Sequence, residues 1–273
     1  MGCEVQYYPI KDVSEMTGVN AVTLRAWQRR YGLLNPKRTE KGHRLYSDND
    51  IEKIRKILSW LEKGVAIGKV RPLIDGSLLA SEIDNQASEN QKTVALLMAA
   101  LADCNRSKLD QQLIQIMKEY PVDVFIDQVV NAVEKEVNNP ENPIANIQHS
   151  LWQSVITERC IAIISQMRKQ ATKLCFLLSF EQQTNYRLWL KAWILTNKGY
   201  GVTVMPVLEG KLSALIAAIA KQKTDKVVVF GDHNIVAANL TQLEVLARSL
   251  NCECEFDGDI TEIHADFKGS YNL

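Results

Sequence analysis

Residues 20–46 read Asn20-Ala21-Val22-Thr23-Leu24-Arg25-Ala26-Trp27-Gln28-Arg29-Arg30-Tyr31-Gly32-Leu33-Leu34-Asn35-Pro36-Lys37-Arg38-Thr39-Glu40-Lys41-Gly42-His43-Arg44-Leu45-Tyr46. Asn20 is suited to cap a helix whose apolar positions are Val22, Leu24 and Trp27. Upstream, Val13 and Met16 lie three apart and Gly18 supplies a tight turn, so the order is helix, turn, helix. Pro36 breaks the chain, and Lys37 to Tyr46, with Gly42 in its middle, suits a two-stranded wing. Ser47 then opens a third helix with Asp48 and Asp50 in its first turn, where they favour the positive end of the helix dipole. Its apolar residues Ile51, Ile54, Ile57, Leu58 and Leu61 keep helical spacing.

Charge marks the same segment. Between residues 21 and 44, Arg25, Arg29, Arg30, Lys37, Arg38, Lys41 and Arg44 stand against the single acid Glu40. The whole chain is neutral, with 32 basic and 32 acidic residues, yet residues 1–75 carry 14 basic against nine acidic ones. Such asymmetry predicts a polyanion-binding module joined to a unit of another kind. A helix-turn-helix presents the start of its second helix to the major groove, so Asn20, Ala21 and Thr23 are the expected base-reading positions, with Arg25, Arg29 and Arg30 near phosphates. The cationic tip Gly42-His43-Arg44, with Arg38, suits a minor groove, where inserted arginine meets enhanced negative potential. Tyr31 and Tyr46 can add hydroxyl contacts to the backbone. The competing readings are that the arginines form a solvated face, and that Trp27 and Tyr46 pack in the domain core.

The remaining sequence falls into parts. At 273 residues, 46% hydrophobic and 23% charged, the chain is long enough for two or three compact units. Residues 76–92 are polar and read as a linker. Helical periodicity follows from Val94 to about Lys169, interrupted at Cys104–Ser107, Pro121 and 138–143, which predicts a four-helix bundle over 93–170. Residues 171–273 alternate short apolar runs with helical stretches: strands at Leu174–Ser179, Val202–Val207, Val227–Phe230 and Cys252–Phe256, with helices near Asn185–Asn197, Leu212–Lys221 and Leu240–Leu250. That order predicts a parallel sheet of Rossmann-like, flavodoxin-like type. The fold class is thus multidomain α and α/β, with a winged helix-turn-helix over 1–75 at its head.

Several classes are set aside. The scattered cysteines imply no disulfide framework. The first residues lack a basic-then-apolar leader, and no run of about eighteen apolar residues occurs, which predicts a cytoplasmic protein without a membrane partner. Neither Gly-x-Gly-x-x-Gly nor Gly-x-Ser-x-Gly is present, so catalysis is not expected. Cys252-Glu253-Cys254 lacks the partner spacing of a zinc site and reads as core. His233, in Gly231-Asp232-His233-Asn234 after a strand, is either a ligand contact at the carboxyl edge of the sheet or a solvated loop residue, and His264 falls in a polar tail.

Over residues 6–74 the run Thr23 to Leu34, with Pro36, Arg38-Thr39, Gly42-His43-Arg44-Leu45-Tyr46 and Asp50-Ile51, resembles the DNA-binding domain of MerR-family transcriptional regulators. Trp27 to Tyr31 and the wing are similar to the subgroup of light- and cobalamin-dependent repressors. The resemblance implies a homodimer on double-stranded promoter DNA, with RNA polymerase as a candidate contact, followed by a helical bundle and a cobalamin-type domain. That subgroup's acid-x-His-x-x-Gly motif corresponds here to Glu181-Gln182-Gln183-Thr184-Asn185-Tyr186, with Gln183 for the cobalt-ligating His and Tyr186 for the Gly. Gln148-His149 stands for its Glu-His pair, with no Trp-x-x-Gly before it. No cofactor is therefore expected, and control passes to a regulatory protein partner or small effector. Candidate partner surfaces are Tyr120-Pro121-Val122-Asp123 and Arg187 to Trp193. The rival readings are a cobalamin-dependent light sensor using Gln183, and a corrinoid carrier or enzyme with an accessory DNA-binding domain.

Overall fold

A computed structural model of the chain describes residues 6–76, 87–183, 185–209, 212–233, 235 and 237–263. Residues 77–86 of the expected linker, together with Thr184, Asn234 and His264, lie outside the described residues. The chain divides into two compact units, Met1–Val155 and Ile156–Leu273.

The first unit opens with β1 (Tyr7–Pro9), α1 (Ile10–Thr17) and α2 (Ala21–Tyr31). Gly18 and Gly32 end the two helices in the left-handed conformation, at φ 72° and 61°, which glycine adopts without a Cβ penalty. The wing strands β2 (Lys37–Arg38) and β3 (Arg44–Ser47) follow, then α3 (Asp48–Glu62) and α4 (Ile67–Ile74). A reciprocal capping box starts α3: the Ser47 hydroxyl accepts from the Asp50 backbone N–H while the Asp50 carboxylate accepts from that of Ser47. Strand β1, which no sequence pattern announces, pairs antiparallel with β3, so the sheet runs β1-β3-β2. Val13, Leu24, Trp27, Tyr46, Ile54, Ile57 and Leu61 form the buried interior of this part, each large aliphatic contributing about 1.5–3 kcal/mol of burial.

Four helical stretches complete the unit: α5 (Ala87–Ala102), α6 (Arg106–Glu119), a run made of α7 (Val122–Phe125), a π turn over Ile126–Val130 and α8 (Asn131–Val137), and α9 (Ala145–Met167), within which the division between units falls. Helix α5 begins at Ala87, inside the segment expected to be linker. Its first turns are polar but good helix formers, which apolar periodicity alone does not reveal. Leu97, Leu101, Leu109, Leu113, Phe125, Val129, Val133 and Trp152 are buried.

The second unit holds a parallel sheet in the order β5-β4-β6-β7, formed by β4 (Lys173–Ser179), β5 (Tyr200–Met205), β6 (Lys226–Phe230) and β7 (Glu253–Asp257). Helices α10 (Tyr186–Asn197), α11 (Ser213–Lys221) and α12 (Ala237–Ser249) connect the strands, and the short α13 (Ile260–Ile263) follows β7. Phe176, Leu178, Val227, Val229, Cys254 and Phe256 pack on one face with Leu212, Ile219, Leu243 and Leu246. This is the Rossmann-like layering that the alternation of runs predicted, with strand ends shifted by one or two residues. On β7 the alternate residues Glu253, Glu255 and Asp257 point the other way, toward Lys226 of β6 and Lys191 of α10.

Candidate nucleic-acid interface

Helix α2 starts where Asn20 puts it. The Asn20 side-chain oxygen accepts from the backbone N–H groups of Val22 and Thr23, both at 2.9 Å. The oxygen of Asn20 is thus committed to the helix cap, which leaves its amide nitrogen for any contact to a base edge. Thr23, expected at the base-reading face, is fully buried, and its hydroxyl has no partner among the described residues. Its neighbour Val22, one of the apolar positions of the expected helix, is 49% exposed, and Met16 is exposed as well. The inward face of α2 is Thr23, Leu24, Ala26 and Trp27, leaving Val22, Arg25 and Arg29 toward solvent.

The wing brings two more arginines to this face. Arg38 and Arg44 stand directly opposite each other on the β2–β3 ladder, a pairing of like charges that costs stability. Arg44 Nε donates to Gln28 Oε1 at 2.6 Å, tying the wing to α2. Burial first, then the positive charges of Arg38, Arg25 and Arg29, push the Arg44 guanidinium below its ordinary value. Among the described residues none of these four arginines has an acidic partner. At the tip Gly42 has φ 80°, Thr39 N–H donates to His43 O at 2.9 Å and His43 N–H donates to Thr39 Oγ1 at 3.0 Å. The His43 ring is carried outward and exposed.

Two tyrosines and one arginine of the expected set stand in other surroundings. Tyr46 is fully buried and its hydroxyl has no partner among the described residues, as the core-packing reading expected. Burial first, then the Glu119 carboxylate, raise the Tyr31 phenol pKa. Arg30 pairs with the same Glu119 and donates to Gln115 Oε1 at 3.0 Å. Trp27 is core, as one reading had it, but its indole N–H donates to Glu119 O at 2.8 Å. Glu119 was missed because nothing local announces it: its partners stand about ninety residues earlier in the chain.

Residues 8–77 match the model of the MerR HTH family of regulatory proteins. The HTH-type transcriptional regulator MlrA of Escherichia coli K12 is 30% identical over 198 residues, which is 72% of this chain and 79% of that protein. The chain belongs to the MerR family. This MerR-family protein is also similar to the HTH-type transcriptional repressor CarH of Myxococcus xanthus, at 29% identity over 58% of the chain and 56% of the relative, and to the HTH-type transcriptional activator mta of Bacillus subtilis, at 30% over 40% and 41%. It is a DNA-binding transcriptional regulator, and no helix among the described residues is long and apolar enough to cross a membrane.

In the second unit, of the residues compared with a cobalamin motif, Tyr186 is 3% exposed at the start of α10, while Gln183 is exposed and carries an amide rather than an imidazole. Nearby, the Glu181 carboxylate accepts from the backbone N–H of Asp232 at 2.5 Å and lies 3.2 Å from the exposed His233 ring. Asp232 accepts from Asn185 Nδ2 at 2.7 Å, and burial, then the Glu181 charge, raise its pKa. Cys254 is buried with its thiol pushed up to about 12, and Cys252 packs partly buried against the same core. Of the expected partner surfaces, Tyr120 and Val122 are buried, as are Leu188, Leu190, Ala192 and Trp193. Trp193 is a packing residue.

Proposed function

We propose that this regulator grips promoter DNA as a homodimer through Arg25 and Arg29 of α2 and Arg38, His43 and Arg44 of the wing. The observation that carries this is the set of four arginines on one face without an acid, two of them opposed across a ladder at a cost that a phosphate would relieve. The functional parts are residues 1–75 for DNA, the bundle at 93–170, and 171–273 as a regulatory domain. That last domain works without cobalamin and is controlled by a protein partner or small effector, a reading supported by the buried Tyr186 and by Gln183. Signal binding there would favour one of two dimer arrangements, only one of them matched to half-site spacing.

The test is to incubate the full chain with sheared genomic DNA at near-physiological salt and sequence the retained fragments. Enrichment of a discrete near-palindrome is expected. Eight arginine–phosphate contacts in a dimer predict that the logarithm of affinity falls with the logarithm of salt at a slope of about −7. Uniform retention of all fragments with a slope near −2 would refute the arginine face as a specific reader.

A further inference from the structure

Helix α6 ends in Glu119, and two side chains of the recognition helix converge on it. Trp27 donates its indole N–H to the backbone oxygen at 2.8 Å, and Arg30 pairs with the carboxylate. The Glu119 side chain is 9% exposed and that of Arg30 is 46% exposed. A carboxylate so buried requires a partner. Arg30 supplies it while its own head stays at the surface. Successive helix residues point about 100° apart, so Arg29 faces outward with Arg25 while Arg30 is turned toward α6. A second joint lies at the end of α3, where Asn90 Nδ2 of α5 donates to Gly64 O at 2.9 Å and to Gln128 Oε1 in the π turn at 3.1 Å. The winged domain is thus pinned to the bundle at two separate places.

We propose that Glu119 is a positioning residue for DNA binding: it withholds Arg30 from the phosphate backbone and fixes the rotation of the recognition helix, making the cation count of the DNA face depend on the placement of α6. Withdrawal of α6 leaves Arg30 without its counter-charge, and its half-exposed head needs only a side-chain rotation to meet a phosphate. The bundle then acts on DNA affinity through one ion pair. The inference rests on the DNA face proposed above.

The experiment titrates full-length protein into a labelled mixed-sequence duplex across about 50 to 200 mM salt, for the wild type, Arg30→Ala, Glu119→Gln and the double variant. Arg30→Ala is expected to leave the wild-type salt slope unchanged. Glu119→Gln should steepen it by about one per protomer, and the double variant should return to the wild-type value. A slope reduced by about one in Arg30→Ala would show Arg30 already on phosphate and overturn the latch, as would a Glu119→Gln slope equal to the wild type. A merely structural Glu119 would lower the melting temperature without this Arg30-dependent change in slope. Should Glu119→Gln fail to fold, Arg30→Ala, whose side chain is half outside, decides alone. A salt-independent wild type would instead refute the DNA face itself, an outcome distinct from a steep wild-type slope that Glu119→Gln does not move.

Discussion

Replacing Asn20 by Ala removes the side-chain acceptor of two backbone N–H groups at the start of α2, those of Val22 and Thr23. Loss of such a cap costs about 0.5–2 kcal/mol in general. Here the upper half of that range is expected, since both bonds are 2.9 Å and the helix has only eleven residues over which to absorb fraying. For a unit of the size of Met1–Val155, a loss of about 1–2 kcal/mol corresponds to a fall in Tm of roughly 3–6 °C. Circular dichroism melts of the wild type, Asn20→Ala, Asn20→Ser and Asn20→Asp measure it. Ser and Asp keep an acceptor at the cap and should restore most of the loss. Asn20→Ser also removes the amide nitrogen, so operator affinity separates the cap from a base contact: a capping residue leaves it within about twofold, whereas a lost base contact costs about 1–3 kcal/mol of discrimination. A Ser variant as unstable as the Ala variant, or an Ala variant with an unchanged melt, would refute the cap as the determinant of where the recognition helix begins.

Further outcomes are expected at other positions. Thr23→Val replaces a buried, unpartnered hydroxyl by a methyl group and should hold or raise the melting temperature with operator affinity unchanged; a loss of affinity would return Thr23 to the DNA face. Arg44→Ala should weaken operator binding by about 1–3 kcal/mol if its guanidinium makes a groove contact, and equal affinity in a folded variant would remove Arg44 from the interface. Asp232 has a raised pKa from burial and the Glu181 charge, so its ionisation opposes folding at neutral pH. Asp232→Asn should therefore melt higher at neutral pH, the gap closing as the solution is acidified and Asp232 protonates; a constant gap would contradict this assignment. Glu255 is the opposite case: burial works against its charge, but Lys226 and Lys191 hold its carboxyl below the ordinary range. Its contribution is present above the ordinary carboxylate pKa and lost as pH falls through the depressed value, so Glu255→Gln should destabilise at neutral pH and cost nothing in strong acid.

Legibility followed the range of the forces. The helix-turn-helix was readable because Gly18, Asn20, Gly32 and the Ser47–Asp50 pair are local devices that need no distant partner. The parallel sheet was readable because buried strands such as Val227–Phe230 are apolar on both faces. What failed was the rotation of α2. Hydropathy put Val22 inward and Thr23 outward, whereas Thr23 shares the inward face with Leu24, Ala26 and Trp27, and two adjacent residues differ by about 100° whatever their polarity. Strand β1 was illegible because three residues ending in a proline carry no period, and its partner is Tyr46 and its neighbours about forty residues later. The buried indole of Trp27 did call for an acceptor, but the sequence had no means of naming Glu119. Among the expected DNA contacts, Arg25, Arg29, Arg38 and Arg44 share a face, whereas Asn20, Thr23, Arg30, Tyr31 and Tyr46 are engaged elsewhere or enclosed.

Strand β7 ends the sheet among the described residues, and an unpaired strand edge is an open invitation to a second chain. Its outward-alternating side chains are Glu253, Glu255 and Asp257, with Lys191 and Lys226 already drawn to them from within the same protomer. Two copies approaching edge to edge would set like-charged rows against each other while their neutralising lysines stay behind, and the approach would become more unfavourable at low salt. The acidic row on β7 therefore disfavours fusing two such sheets into one continuous ribbon.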